Sequence, residues 1–191
     1  MTAMVTPFTP SGEVDFRRAA ELAVRLTGNG TDTLVVAGTT GESPTLTAEE
    51  KLKLFEVVKN AVGNKPVIAG TGSNCTRASI EFSLEAAKRG VDGILVVAPY
   101  YNKPPQSGLY EHFLAIARAV PLPIVLYNIP GRTGVEVSPA VIAKLALLPN
   151  VVAVKEALPS LEPVSSLEVL LSQIAEQELY AHPALRPGRA L

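Results

Sequence analysis

Short unbroken apolar runs alternate along the chain with longer amphipathic stretches, and the pair recurs about every 30 residues. Met1–Val5 reads as a first strand, followed by a turn at Thr6-Pro7. Asp15 caps a helix through about Leu26, with apolar positions at Phe16, Ala19, Ala20, Ala23 and Val24 and a stop at Gly28. Thr33–Ala37 is the next strand. Thr47 then opens a helix with Glu50 as its capping-box partner, and a stripe of Leu52, Leu54, Phe55, Val58 and Ala61 runs to Gly63. Val67–Ala69 is a strand, and Thr76 starts a helix that stops at Gly90. Ile94–Ala98 is a strand, followed by a helix from about Ser107 to Ala119. After the strand Ile124–Tyr127, Ser138 caps a helix with Pro139 at its first position, and Val151–Val154 closes the series.

Strands that are continuous apolar runs are buried on both faces and belong to parallel sheets built from right-handed βαβ units. Two α/β architectures accept such a series: an open doubly wound sheet or a (β/α)8 TIM barrel. The polar residues separate them. Thr39, Thr40 and Glu42 follow the second strand, Thr71 and Asn74 the third, and Tyr100, Tyr101 and Asn102 the fourth. Tyr127 and Asn128 end the fifth, and Lys155 and Glu156 the sixth. Polar groups at the carboxyl end of nearly every strand fit a barrel whose site is assembled around one rim, whereas an open sheet gathers them at a switch point. The expectation is the barrel. Gly70-Thr71-Gly72-Ser73-Asn74-Cys75 imitates a dinucleotide fingerprint, but Cys75 stands where the third glycine belongs and no acidic residue ends the next strand; turn geometry explains it better.

Composition narrows the chemistry. Of the 191 residues, 47% are apolar and 18% charged, enough to bury a core. A net charge of −1 gives nothing to recruit nucleic acid or an anionic membrane. The single cysteine, Cys75, rules out an internal disulfide and suits a reducing compartment. With only His112 and His182 as histidines, zinc-site spacing is lacking. No leader pattern or bilayer-length apolar run is visible, so a soluble, cytoplasmic protein is expected.

One residue then stands out. Val151-Val152-Ala153-Val154 runs straight into Lys155, and desolvation at the end of a doubly buried strand favours the neutral amine. Enzymes that form a Schiff base with a carbonyl substrate activate a lysine in this way; the plainer alternative is a lysine that snorkels into water. A lysine amine that condenses with a keto acid also needs a proton shuttle, a seat for the substrate carboxylate and a hydroxyl path to solvent. Tyr127, on the neighbouring strand, can shuttle protons, or be a buried aromatic. Thr39 and Thr40 with their glycines offer hydroxyl and N–H donors, or serve as turn residues. Arg132, in the Pro130-Gly131-Arg132 turn, can pair bidentately with a carboxylate, or be a surface charge. Placement of all of them on one rim favours the functional reading.

Gly38-Thr39-Thr40-Gly41-Glu42, Pro99-Tyr100-Tyr101-Asn102, Tyr127-Asn128-Ile129-Pro130-Gly131-Arg132-Thr133 and Val154-Lys155-Glu156 resemble the dihydrodipicolinate synthases, pyruvate-dependent class I aldolases of the (β/α)8 type. The resemblance covers about residues 1–157. It implies that Lys155 forms the Schiff base with pyruvate and that Thr40 with its backbone binds the pyruvate carboxylate. Tyr127, Thr39 and Tyr101 would form a proton relay, with Tyr101 reaching into a neighbouring subunit's site, and Arg132 would bind the carboxylate of aspartate semialdehyde. No cofactor and no metal are implied. The partners would be a small keto acid and an aldehyde, with a homo-oligomer, a tetramer, if the fold is complete. The product would be the cyclic precursor on the diaminopimelate route to lysine. Sister lyases of sialic acid or 2-keto-3-deoxy sugar acids keep the lysine and tyrosine; the arginine in the Pro-Gly-Arg-Thr turn suits a second carboxylate better than a polyol.

After Ala157 these motifs stop. Residues 1–157 are expected to form a partial barrel domain of about six βα units and Leu158–Leu191 a divergent tail. The tail has one helix, about Val164–Tyr180, on the spacing of Val164, Leu167, Leu170, Leu171, Ile174 and Leu179. Six units cannot close an eight-stranded barrel, so the chain reads as a truncated member. A non-catalytic remnant, or an assembly in which another chain completes the barrel, stand as alternatives.

Overall fold

The computed structural model describes residues 1–160, 162–167 and 169. Its centre is a six-stranded, all-parallel sheet in the order β1-β2-β3-β4-β5-β6. The strands are β1 (Thr2–Ala3), β2 (Leu34–Val36), β3 (Val67–Gly70), β4 (Gly93–Val97), β5 (Ile124–Asn128) and β6 (Val151–Glu156). Each strand pairs with the next one in sequence, so the order never reverses and there is no switch point. This is six-eighths of the singly wound (β/α)8 arrangement, a sheet curled around its own inner face.

The helices lie between these strands: α1 (Phe16–Gly28), α2 (Ala48–Val62), α3 (Thr76–Ala87), α4 (Gln106–Ala119), the single turn α5 (Pro130–Thr133) and α6 (Pro139–Leu145). Three start where a local side chain dictates it. The Asp15 carboxylate accepts from the Arg18 amide, Thr47 and Glu50 close both halves of a capping box, and the Ser138 hydroxyl accepts from the Val141 amide. α1 packs on α2, α2 on α3, α3 on α4 and α4 on α6, a continuous outer layer. Between that layer and the sheet lies the main core, which includes Leu34, Val36, Leu54, Phe55, Ile94, Phe113 and Ile124. A separate cluster of Val35, Ile68, Leu95, Val125 and Tyr127 fills the inner face of the curl. The register sets these inner residues in rows across the strands: Val35 beside Ile68, Leu95 beside Val125, and Val97 beside Tyr127 beside Lys155.

Several expectations change. Val24, placed on the buried stripe of α1, is 51% exposed, because the helix packs through the small residues Ala19 and Ala23 and Val24 falls on its flank. The Pro130-Gly131-Arg132 turn is a helical turn, with the Gly134 amide donating to the Pro130 carbonyl at 2.8 Å. β6 is not buried on both faces: Val152 is 58% exposed and Ala153 is exposed, while Val151, Val154 and Lys155 are half-buried. It is the last strand of the described sheet and pairs only with β5. In the tail, residues 162–167 and 169 are helical; the remainder of the expected helix, through Tyr180, lies outside the described residues. Among the described residues no helix is long and apolar enough to cross a membrane, and no group of three or more His, Cys, Asp or Glu could hold a metal ion.

The Gly70-Thr71-Gly72 stretch has a packing explanation. A Cβ on Gly70 would collide with the Ala37 carbonyl oxygen, and one on Gly72 with the Val97 amide nitrogen. Both glycines let neighbouring strand ends close together around the rim.

Candidate active site

The carboxyl ends of the strands surround a cleft of about 690 Å3. Gly38 and Thr39 after β2, Thr71 to Ser73 after β3, Tyr100 after β4, and Tyr127 and Arg132 at and after β5 all line it. No cofactor-sized glycine cradle is needed to explain this opening; it is where the inner row of the curl ends and loops take over.

Tyr127 is the most deeply set of the candidate residues, at 4% exposure. It is the register partner of Lys155, so both side chains point to the inner face. The Lys155 Nζ lies 4.1 Å from the centroid of the Tyr127 ring, a cation–π contact; Tyr127 lines the cleft and Lys155 lies behind it, not in the lining itself. Parallel pairing alone produces this juxtaposition. In-register side chains on adjacent strands lie about 5 Å apart, and a one-residue slip would turn Glu156 inward instead.

The turn after β2 supplies donors. The amides of Gly41 and Ser43 both bond to the Gly38 carbonyl, at 3.1 and 3.3 Å, and that of Glu42 to the Thr39 carbonyl at 3.1 Å. Glu42 takes the left-handed conformation, φ 55°, to make the reversal. The amides of Thr39 and Thr40 have no acceptor among the described residues. Two adjacent unpaired N–H groups at a strand end suit a carboxylate. Thr39 is half-buried in the cleft, while Thr40 is exposed and does not line it.

Tyr101 stands apart from the cleft at 89% exposure. Its backbone is at φ 74°, and the Asn102 amide donates to the Tyr100 carbonyl at 2.9 Å, the i→i+2 bond of a γ-turn. A bulky residue held at positive φ costs on the order of 1–3 kcal/mol. The strain here projects an aromatic ring outward instead of into this chain's own cleft. The Tyr101 amide bonds in turn to the Thr133 carbonyl at 3.3 Å, tying this loop to the α5 turn that carries Arg132. Thr39, Tyr127 and Tyr101 are not joined to one another by a direct hydrogen bond.

The residues named from the sequence therefore divide. Tyr127, Thr39 and Arg132 line one cleft and Lys155 lies beside it against Tyr127; Thr40 is exposed outside it and Tyr101 points away. The sequence reading missed Lys51. It lines the cleft with Ser43, Pro44 and Phe82, its Nζ 5.7 Å from the Phe82 ring centroid, and burial pushes its ammonium below the usual lysine range. The signal was present: Lys51 lies four residues before the buried Phe55, on the flank of the apolar stripe of α2. Lys51 and Arg132 are the charged residues lining the cleft, both cationic, which favours anionic ligands.

Comparison with known proteins bears on the family and the fold. Residues 1–176 match the Dihydrodipicolinate synthetase family. The 4-hydroxy-tetrahydrodipicolinate synthase of Heliobacterium modesticaldum is 60% identical over 168 residues, covering 87% of this chain and 56% of that protein. The crystal structure of the Cyanidioschyzon merolae protein with lysine bound superposes with a TM-score of 0.86 at 53% identity, over 88% of this chain and 58% of that one. A chloride-inhibited dihydrodipicolinate synthase from Acinetobacter baumannii, complexed with pyruvate, gives 0.86 at 43% identity, over 89% and 59%. The chain thus spans a little over half the length of the relatives it matches, and the match continues past Ala157, where the quoted motifs stop.

Proposed function

The chain belongs to the dihydrodipicolinate synthetase family, and on that premise we propose that it carries the imine-forming site of a synthase condensing pyruvate with aspartate 4-semialdehyde. The observation that carries this reading is the in-register pair of Lys155 and Tyr127, with the amine 4.1 Å from the ring centroid. After giving up a proton, the Lys155 amine adds to the keto carbon of pyruvate, and loss of water gives the imine. The Thr39 and Thr40 amides hold the pyruvate carboxylate. Tyr127 moves the protons between the carbinolamine, the imine and the enamine that forms when a methyl proton leaves. The enamine carbon attacks the aldehyde, and Arg132, at the mouth, pairs with the carboxylate of that second substrate. Ring closure through the semialdehyde's own amine displaces Lys155 and restores it. Tyr101, turned outward on its γ-turn, completes the proton relay of a neighbouring subunit in a homo-oligomer.

Pyruvate in deuterium oxide tests the first half. Reversible enamine formation exchanges the methyl protons, so the methyl signal is expected to fade with the chain present and to persist with Lys155→Arg. A rate no faster than that of free lysine would overturn the reading. The substrate class is tested in an enzyme competent for turnover by supplying aspartate 4-semialdehyde, sialic acid or a 2-keto-3-deoxy sugar acid; consumption of the first alone is expected, and cleavage of the latter two would assign a sister lyase. The half-exposed β6, which carries Lys155, favours a second reading in which these residues are a non-catalytic remnant. Absence of methyl exchange in a folded sample would select it.

A further inference from the structure

We propose that Asn128 and Glu156 form a positioning pair that holds Lys155 against Tyr127, an inference that rests on the imine-forming reading above. Asn128 is 1% exposed and lies one residue beyond Tyr127, on the opposite face of β5. Both Nδ2 hydrogens and the Oδ1 are engaged. Its Nδ2 donates to the Val137 carbonyl at 3.1 Å and to the Glu156 carboxylate at 2.9 Å, and its Oδ1 accepts from the Val137 amide at 3.0 Å. Its main-chain carbonyl accepts from the Ala157 amide at 3.0 Å, and that same amide lies 2.9 Å from the other Glu156 oxygen. One buried side chain thus joins three segments: the end of β5 with Tyr127, the end of β6 with Lys155, and the Val137 loop that follows the α5 turn with Arg132.

The pair matters because β6 is weakly specified otherwise. The β5–β6 register already breaks once, with Ile124 opposite Val151 but Val125 opposite Ala153, so Val152 is an extra residue. Strands exposed on their faces resist slippage poorly, and a further one-residue slip would replace Lys155 by Glu156 on the inner face. Val152 and Ala153 are exposed, and Val151 and Val154 pack on the main core only in part, so burial fixes the register weakly. The Asn128–Glu156 bond, a register pair that bonds only in this alignment, pins it. Asparagine is required for it: an aspartate has the same shape but neither donor, and it would set two carboxylates together.

The test compares the parent chain with Asn128→Asp, Glu156→Ala and Glu156→Gln by hydrogen exchange of residues 151–157 and by borohydride trapping of pyruvate on Lys155. Asn128→Asp and Glu156→Ala are expected to speed exchange in that segment, with β2–β4 protected as in the parent, and to slow trapping at least about tenfold. Glu156→Gln keeps an oxygen for Asn128 and is expected to trap within about twofold of the parent. A residue that only adds stability would raise exchange across all strands rather than at 151–157 alone. Unchanged exchange at 151–157 in Asn128→Asp overturns the positioning role. So does unchanged trapping where the parent traps. If the parent itself does not trap, the imine reading fails, while the exchange arm still decides whether the pair pins β6.

Discussion

Lys155 meets Tyr127 because two adjacent parallel strands share a register, and Arg132 reaches the same opening because a single helical turn follows β5. The two proposed roles separate by substitution. In an enzyme competent for both substrates, Arg132→Ala should raise the KM for aspartate semialdehyde by about 10- to 100-fold, the loss expected for a charge-assisted bidentate contact. Imine trapping with pyruvate should persist, and steady-state kinetics with each substrate varied would reveal it; equal loss of both would make the arginine structural. His112 gives a second residue-scale expectation. It is 5% exposed, its Nδ1 is 2.8 Å from the Thr76 hydroxyl, its Nε2 has no partner among the described residues, and Phe113 stands edge-on to its ring. Burial pushes its pKa down to about 4 from 6.5. Below 6.5 the unfolded chain takes up a proton that the folded chain refuses, so this stability is present above 6.5 and lost as the pH falls toward 4. The loss amounts to roughly 3 kcal/mol at most. Denaturant midpoints between pH 7 and 4.5 should fall more steeply in the parent than in His112→Gln.

At the scale of elements, what was legible in the sequence is what is decided locally. Asp15, Thr47 with Glu50, and Ser138 cap their helices through side chains three residues from their partners, so a short window contains the whole cause. The barrel-type order was legible from polar residues at strand ends. The half-exposure of β6 was not, because an apolar run is the same whether or not another element covers it. For Lys51 the sequence held only its place on the flank of the α2 stripe; that it meets Pro44 and Phe82 in the cleft depends on other elements. The outward turn of Tyr101 depends on a positive φ that no residue type at that position announces. The rim glycines permit a sharp comparison. Gly72→Ala places a Cβ into the Val97 backbone and should destabilise by about 2 kcal/mol or more. Gly28→Ala, in open space at the end of α1, should be neutral or stabilise by up to about 1 kcal/mol. Urea unfolding of the two variants would check both.

At the scale of the molecule, the sheet of the described residues has two edges, β1 and β6. Val152 is 58% exposed at one, and Met1 and Val5, flanking the other, are 65% and 52% exposed. Unpaired apolar edges template association, and uncovering one large side chain costs roughly 1.5–3 kcal/mol against a total stability of about 5–15 kcal/mol. A polypeptide of these 191 residues is therefore expected to self-associate or expand and to condense the two substrates poorly, even with its site residues in place. Light scattering after size exclusion would show it, and Val152→Lys should lower the associated fraction. A monomer that melts cooperatively and turns over both substrates would refute this.

The central claim is that Lys155 is the imine-forming residue, and the cleft contains a rival in Lys51, half-buried over Phe82. Incubation of the folded chain with pyruvate and borohydride, followed by peptide mapping, decides between them. The account predicts one reduced pyruvyl adduct, on Lys155, absent from Lys155→Arg. An adduct on Lys51, adducts spread over many lysines, or none at all would contradict it.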